Sequence, residues 1–125
     1  MIDPRRFKKS IKHAFLGVRL VFKSEQNFRI QVITAVTVLV LATLFHVTTF
    51  EYIILLLLIV SVLSLEMINS VFERIVDSFK PRIHPIVKEI KDIMAGTVLI
   101  ASLVSALIGM TIFCPYIYAL FERAS

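Results

Sequence analysis

Ser64-Leu65-Glu66-Met67-Ile68-Asn69-Ser70-Val71-Phe72-Glu73-Arg74-Ile75-Val76-Asp77 follows directly on an apolar run, Tyr52 to Leu63, that reads as the body of a membrane span. At about 100° per residue, Asn69, Glu73 and Asp77 sit at roughly −60°, −20° and +20° from Glu66, on one helix face. Leu65, Met67, Ile68, Val71, Phe72, Ile75 and Val76 occupy the opposite side. A helix leaving the bilayer thus carries a stripe of carboxylates and an amide. A carboxylate inside a span costs about 2.5–3.5 kcal/mol on insertion scales, and such groups usually face inward and serve a function. Two readings compete. Glu73 and Asp77 are either solvated residues past the membrane or part of a site. Glu66 and Asn69 lie where water is scarce, and a structural contact between helices is the alternative there.

The rest of the chain fits a membrane protein. Of 125 residues, 58% are hydrophobic, and the apolar residues come in long blocks. The length allows one unit, residues 1–125. Cys114 is the single cysteine, so no internal disulfide is expected; it reads as a small packing residue. No cleavable signal is evident. Net charge is +5, and the basic residues cluster.

Asp3-Pro4 suits a helix start. Phe7, Ile11, Phe15, Val18 and Phe22 then recur at helical spacing, with Arg5, Arg6, Lys8, Lys9, Lys12, Arg19 and Lys23 between them. Residues 1–24 therefore read as an amphipathic helix on an anionic membrane surface. A nucleic-acid arm is the competing reading. It is set aside because lipid-facing sequence follows at once, and no nucleic-acid partner is expected. Ser24-Glu25-Gln26-Asn27 interrupts the pattern as a turn or junction. Glu25 has an ordinary alternative too, as an acid favouring the dipole of the next helix.

Membrane-spanning helices are expected over residues 28–47, 52–79 and 86–121. Lys80-Pro81 ends the second, and Pro85 starts the third. Pro115 kinks or ends it. His46 reads as a residue of the short outer loop. Ala101, Ser105 and Gly109 form a small-residue strip that lets helix backbones approach closely.

Eight Lys or Arg lie in the first 29 residues and five between Arg74 and Lys91, while the 46–51 loop has none. The positive-inside rule makes the N-terminus and the 74–91 region cytoplasmic. Glu66, Glu73, Asp77, Lys91 and Asp92 then gather near the cytoplasmic surface, on the same side as Glu25.

Carboxyl groups in low-dielectric surroundings can be tuned to act as general bases near neutral pH. Further carboxylates can hold Mg²⁺ together with substrate phosphates, and basic residues neutralise nucleotide phosphates. Those are the parts of phosphoryl transfer. The soluble type of glycine-rich phosphate loop is missing, so a nucleotide site must be built from helix side chains. A different class stays open: a small oligomeric transporter using Glu66 as a proton or cation site. A third option is a non-catalytic assembly partner built on the Ala101-Ser105-Gly109 strip.

Glu66-x-x-Asn69-x-x-x-Glu73-x-x-x-Asp77, followed by His84-Pro85-x-x-Lys88-x-x-Lys91-Asp92-x-x-Ala95-Gly96, resembles the signature of the small prokaryotic diacylglycerol kinase family. Glu25-x-Asn27-Phe28-Arg29 is similar to it as well. The resemblance covers nearly the whole chain. It implies an all-α integral membrane fold, with an N-terminal amphipathic surface helix and three transmembrane helices in a homotrimeric bundle. It implies a multi-pass protein of the bacterial cytoplasmic (inner) membrane that uses MgATP to phosphorylate a lipid hydroxyl.

By position, the resemblance makes Glu66 the catalytic base and sets Asn69 beside the reaction centre. Glu25 and Glu73 are the magnesium-bridging carboxylates at the ATP phosphates, and Asp77 joins the nucleotide-binding set. Lys91 matches a phosphate contact, Asp92 a sugar or base contact, and His84 a loop contact to nucleotide. Arg6 and His13 match nucleotide contacts of the surface helix by ungapped counting. His13 and Ile83 replace aromatic residues seen in some members. The stretches Asn27-Phe28-Arg29-Ile30 and His84-Pro85-x-x-Lys88 look more like the undecaprenol kinase branch, although Gln31 departs from the His often found there. Undecaprenol is therefore the preferred acceptor, with diacylglycerol second.

Overall fold

The computed structural model describes residues 3–78 and 85–124. Among them the chain forms four α-helices: α1 (Pro4–Ser24), α2 (Gln26–Leu44), α3 (Thr49–Ser78) and α4 (Pro85–Ala124). The last three are each long and apolar enough to cross a membrane. Their outward faces are exposed apolar surface, from Ile33 and Val36 on α2 to Leu103 and Leu107 on α4. Helices that are apolar on nearly every side belong in lipid or against other helices.

Each boundary has a local cause. Asp3 caps α1 by accepting from Arg5 N–H at 2.9 Å, and Pro4 takes the first position, where no N–H is needed. A single extended residue, Glu25 (φ −104°, ψ 116°), separates α1 from α2. The junction is therefore tighter than the stretch 24–27 suggested. Arg29 reaches back and donates to the carbonyls of Phe22 (3.2 Å) and Lys23 (2.9 Å), so its guanidinium closes the end of α1.

At the other end of α2, Val47 N–H bonds to Ala42 C=O and His46 N–H to Thr43 C=O, both at 3.2 Å. His46 takes the left-handed conformation (φ 51°). This is a Schellman ending, with His where glycine is commonest. Val47 then packs on the Ala42–Leu55–Phe113 cluster. α3 opens on a capping box: Glu51 N–H donates to Thr48 Oγ1 (3.2 Å), and Thr48 N–H donates to Glu51 Oε2 (2.9 Å). That box starts α3 at Thr49 rather than 52.

α4 runs through Pro115 without ending. Within a membrane helix the lost backbone bond is tolerated when neighbouring groups compensate. The 79–84 segment, with the expected stop at Lys80-Pro81, lies outside the described residues. α3 packs against both α2 and α4, and α1 touches α2 and α3. The Phe45 and Phe113 rings meet at a 55° tilt with centroids 6.0 Å apart near the His46 end, and Tyr116 donates to Glu51 Oε2 at 2.6 Å, pinning α4 to the α3 cap.

Along the membrane a groove of about 700 Å³ opens between α2, α3 and α4. Ser105 and Gly109 line it, and a Cβ added at Gly109 would meet nothing within 4 Å. At Gly109, then, no other helix of the same chain makes the close approach that the strip would permit.

Candidate functional site

The polar residues of α3 face inward near its C-terminal half. Glu66 is 4% exposed, Asn69 9% and Ser70 1%, although they belong to a helix whose Ile68, Val71 and Phe72 are exposed. Burial of this kind demands partners. The side chain of Gln31 on α2 faces Glu66, and Glu25 and Glu73 are close enough to act on it electrostatically. Asn69 Nδ2 donates to Glu73 Oε1 at 3.3 Å, one helical turn along.

Glu25 caps α2 by position, but its side chain makes no capping bond. Its carboxylate turns to α3 instead, where Ser70 Oγ donates to Oε1 at 3.2 Å. Ser24 Oγ donates to the same oxygen at 3.3 Å. Arg74 Nη2 lies 3.7 Å from it and donates to Ser24 Oγ at 2.6 Å. Arg74 Nε donates to Ser70 Oγ at 3.4 Å. Glu25 thus stands at the start of α2, as its ordinary reading expects, and its carboxylate also bonds to α3.

On the neighbouring helix, Lys91 Nζ donates to Asp77 Oδ1 at 3.0 Å and feels Glu73 electrostatically. One chain therefore gathers Glu25, Glu66, Asn69, Glu73, Asp77 and Lys91 from α3, α4 and the junction between α1 and α2.

The remaining expected residues are not drawn in. Asp92 is exposed on α4 beside Lys91. Arg6 is exposed and pairs with Asp3 at 3.5 Å. His13 is exposed midway along α1. At about 1.5 Å of rise per residue, His13 and Arg6 stand on the order of 18 and 28 Å from Glu25 along the helix. His84 lies outside the described residues.

Sequence reasoning missed three members of the cluster: Gln31, Ser70 and Arg74. Ser70 and Arg74 follow Glu66 at successive steps of four, so the i, i+4 rule could have added them to the stripe. No sequence signal marked Gln31, because its partner is on another helix.

The chemistry of this set suits a hard divalent cation, since the donors are carboxylate oxygens. Among the described residues no group of three or more His, Cys, Asp or Glu side chains could hold a metal alone. Mg²⁺ is often held by one or two carboxylates with substrate phosphates supplying the rest. Glu25 and Glu73 fit that partial role. Two buried acceptors, Asn69 Oδ1 and Gln31 Oε1, have no partner among the described residues. Both belong to side chains that touch the carboxylate group, and buried acceptors of this kind call for a donor.

Known proteins share this chain's sequence over most of its length. The sequence model described as prokaryotic diacylglycerol kinase matches residues 12–113. A Bacillus subtilis (strain 168) protein named undecaprenol kinase is 36% identical over 110 residues, which is 88% of this chain and 89% of that protein. A Synechocystis sp. protein named diacylglycerol kinase is 32% identical over 112 residues, 89% of this chain and 64% of that longer protein.

Proposed function

The chain belongs to the prokaryotic diacylglycerol kinase family, and from that premise we propose that it transfers the γ-phosphoryl group of ATP to the hydroxyl of a membrane lipid, with Glu66 as general base. The observation that carries this reading is the 4% exposure of Glu66 at the end of an apolar span, beside two further carboxylates. A base sheltered from water and placed within reach of metal-holding groups is what alcohol activation requires.

In this mechanism Glu66 accepts the hydroxyl proton as the lipid oxygen bonds to the γ-phosphorus of ATP, while the bond from that phosphorus to the bridging oxygen breaks and ADP leaves. Asn69 holds the Glu73 carboxylate in place by its hydrogen bond, and Gln31 faces Glu66 from α2. Glu25 and Glu73 would hold Mg²⁺, which when bound neutralises phosphate charge. Lys91 meets the phosphates from α4, and Asp77 holds its ammonium in position. Asp92 is assigned to the sugar or base.

Arg6, His13 and His84 complete the nucleotide-binding set in this proposal. The first two lie far from the cluster of their own chain, which supports their service to a neighbouring copy in a homotrimer. α1 lies on the membrane surface, the N-terminus faces the cytoplasm, and the host membrane is the bacterial inner one. Undecaprenol is the preferred acceptor, on the branch-like stretches near Asn27 and Pro85; diacylglycerol is next.

The test is direct. Purified protein in detergent is incubated with labelled ATP, Mg²⁺ and parallel lipid alcohols. Label should enter the lipid fraction, most of all with the polyprenol, and Glu66→Gln should abolish it. Near wild-type phosphorylation by Glu66→Gln would remove Glu66 from the role of base.

A further inference from the structure

The hydrogen bond and the ion pair that join the Glu25 carboxylate to α3 come from two residues with no part in the chemistry above, Ser70 and Arg74. Ser70 is 1% exposed, and its hydroxyl sits between Glu25 Oε1 (3.2 Å) and Arg74 Nε (3.4 Å). A hydroxyl has one proton to give, and here it goes to the carboxylate. The Arg74 donor fills the oxygen's acceptor side. Arg74 Nη2 grips Ser24 Oγ at 2.6 Å, one residue before Glu25, and stays 3.7 Å from the carboxylate.

The guanidinium therefore fixes both neighbours of Glu25: the residue preceding it in the chain and the hydroxyl facing it. Glu25 needs such fixing, because it is the one non-helical residue between α1 and α2 and its side chain makes no capping bond to α2. All the recorded bonds use Oε1. Among the described residues no hydrogen bond engages Oε2.

We infer that Ser70 and Arg74 are positioning residues that hold the Glu25 carboxylate by one oxygen and present the other to the divalent cation. This rests on the reading of Glu25 as a magnesium ligand. The physical logic is that of an outer shell around a metal ligand. A ligand already ordered by a hydrogen bond loses less freedom on binding, and losing such a partner typically costs about 10–100-fold in metal affinity. Arg74 adds a nearby positive charge that moderates the repulsion among Glu25, Glu66 and Glu73 while no cation is bound. It does so without the short contact that would compete with the cation.

The experiment measures Mn²⁺ binding by electron paramagnetic resonance, on intact protein in detergent with a non-hydrolysable ATP analogue, for wild type, Arg74→Ala, Arg74→Lys, Ser70→Ala and Glu25→Gln. Half-saturating Mg²⁺ in turnover is measured alongside. Arg74→Ala and Ser70→Ala should each weaken Mn²⁺ binding about tenfold and raise half-saturating Mg²⁺ in parallel. Arg74→Lys should fall between, since Lys keeps the charge and loses the forked geometry. A merely structural loss would lower kcat and leave the metal dependence in place, which overturns the inference. If Glu25→Gln weakens the metal and neither Arg74→Ala nor Ser70→Ala does, the inference fails while the reading of Glu25 stands. If Glu25→Gln also leaves metal binding unchanged, Glu25 is no ligand and both fall. Weaker binding of the analogue without metal, at unaltered metal dependence, would make Arg74 a nucleotide contact and overturn the inference as well.

Discussion

Lys91 Nζ donates to Asp77 Oδ1 at 3.0 Å, joining the first turns of α4 to the last turns of α3. The pair is partly exposed, with the side chains 35% and 48% accessible. At that exposure an ion pair contributes little to stability. Its value lies in aiming the ammonium toward the end of α3 that carries Glu73.

The first prediction concerns that pair. Lys91→Met should raise the KM for ATP roughly tenfold, the consequence of losing a charged hydrogen bond to phosphate. Asp77→Asn should have a smaller effect in the same direction, because Lys91 keeps its charge and loses its guide. Initial-rate kinetics at saturating lipid measure both. Equal effects would make Asp77 a direct contact instead.

Glu66→Gln should lower the rate by about 10²–10⁴-fold, the range of general-base contributions. Thermal stability should hold or rise, since a neutral amide is cheaper to bury than a carboxylate. Melting followed by circular dichroism separates loss of chemistry from loss of fold.

At the opposite end, Tyr116→Phe removes the donor to Glu51 and should lower the melting temperature while leaving phosphorylation intact. Glu51→Ala also removes the capping box of α3, so it should cost more. The double variant should be non-additive because the two share one bond. Additive losses in a double-mutant cycle would mean that Tyr116 acts elsewhere.

Gly109 has open space around its Cβ position within the chain. Gly109→Ala should therefore leave the single chain intact and add helix propensity of up to about 1 kcal/mol. If the proposed trimer seats a neighbouring helix on this strip, Gly109→Leu should dissociate it, as read by cross-linking or light scattering in detergent. A trimer that survives Gly109→Leu places the contact between copies on another face.

Removal of divalent cations by chelation should stop phosphorylation without shifting the melting temperature. The described residues hold no metal-binding group complete in itself, so helix packing does not depend on one. Mn²⁺ should bind far more weakly without the ATP analogue than with it, because phosphates supply part of the shell.

The sequence by itself determined the helices, their order and the acidic stripe. Apolar runs long enough to cross lipid, the Asp3-Pro4 start and the spacing of Glu66, Asn69, Glu73 and Asp77 are local properties, legible from period and length. The Schellman ending at His46 and the capping box at Thr48 moved boundaries by a few residues, since local backbone bonds override the apolar pattern there. Only the tertiary structure decided what Glu25 does. A residue at a helix start can cap it or turn away, and the choice depended on Ser70 and Arg74, distant in sequence and supplied by a different helix. The same holds for Gln31 beside Glu66 and for the open space at Gly109. Side-chain partners across helices are fixed by how the helices pack, and no period along one chain segment carries that information.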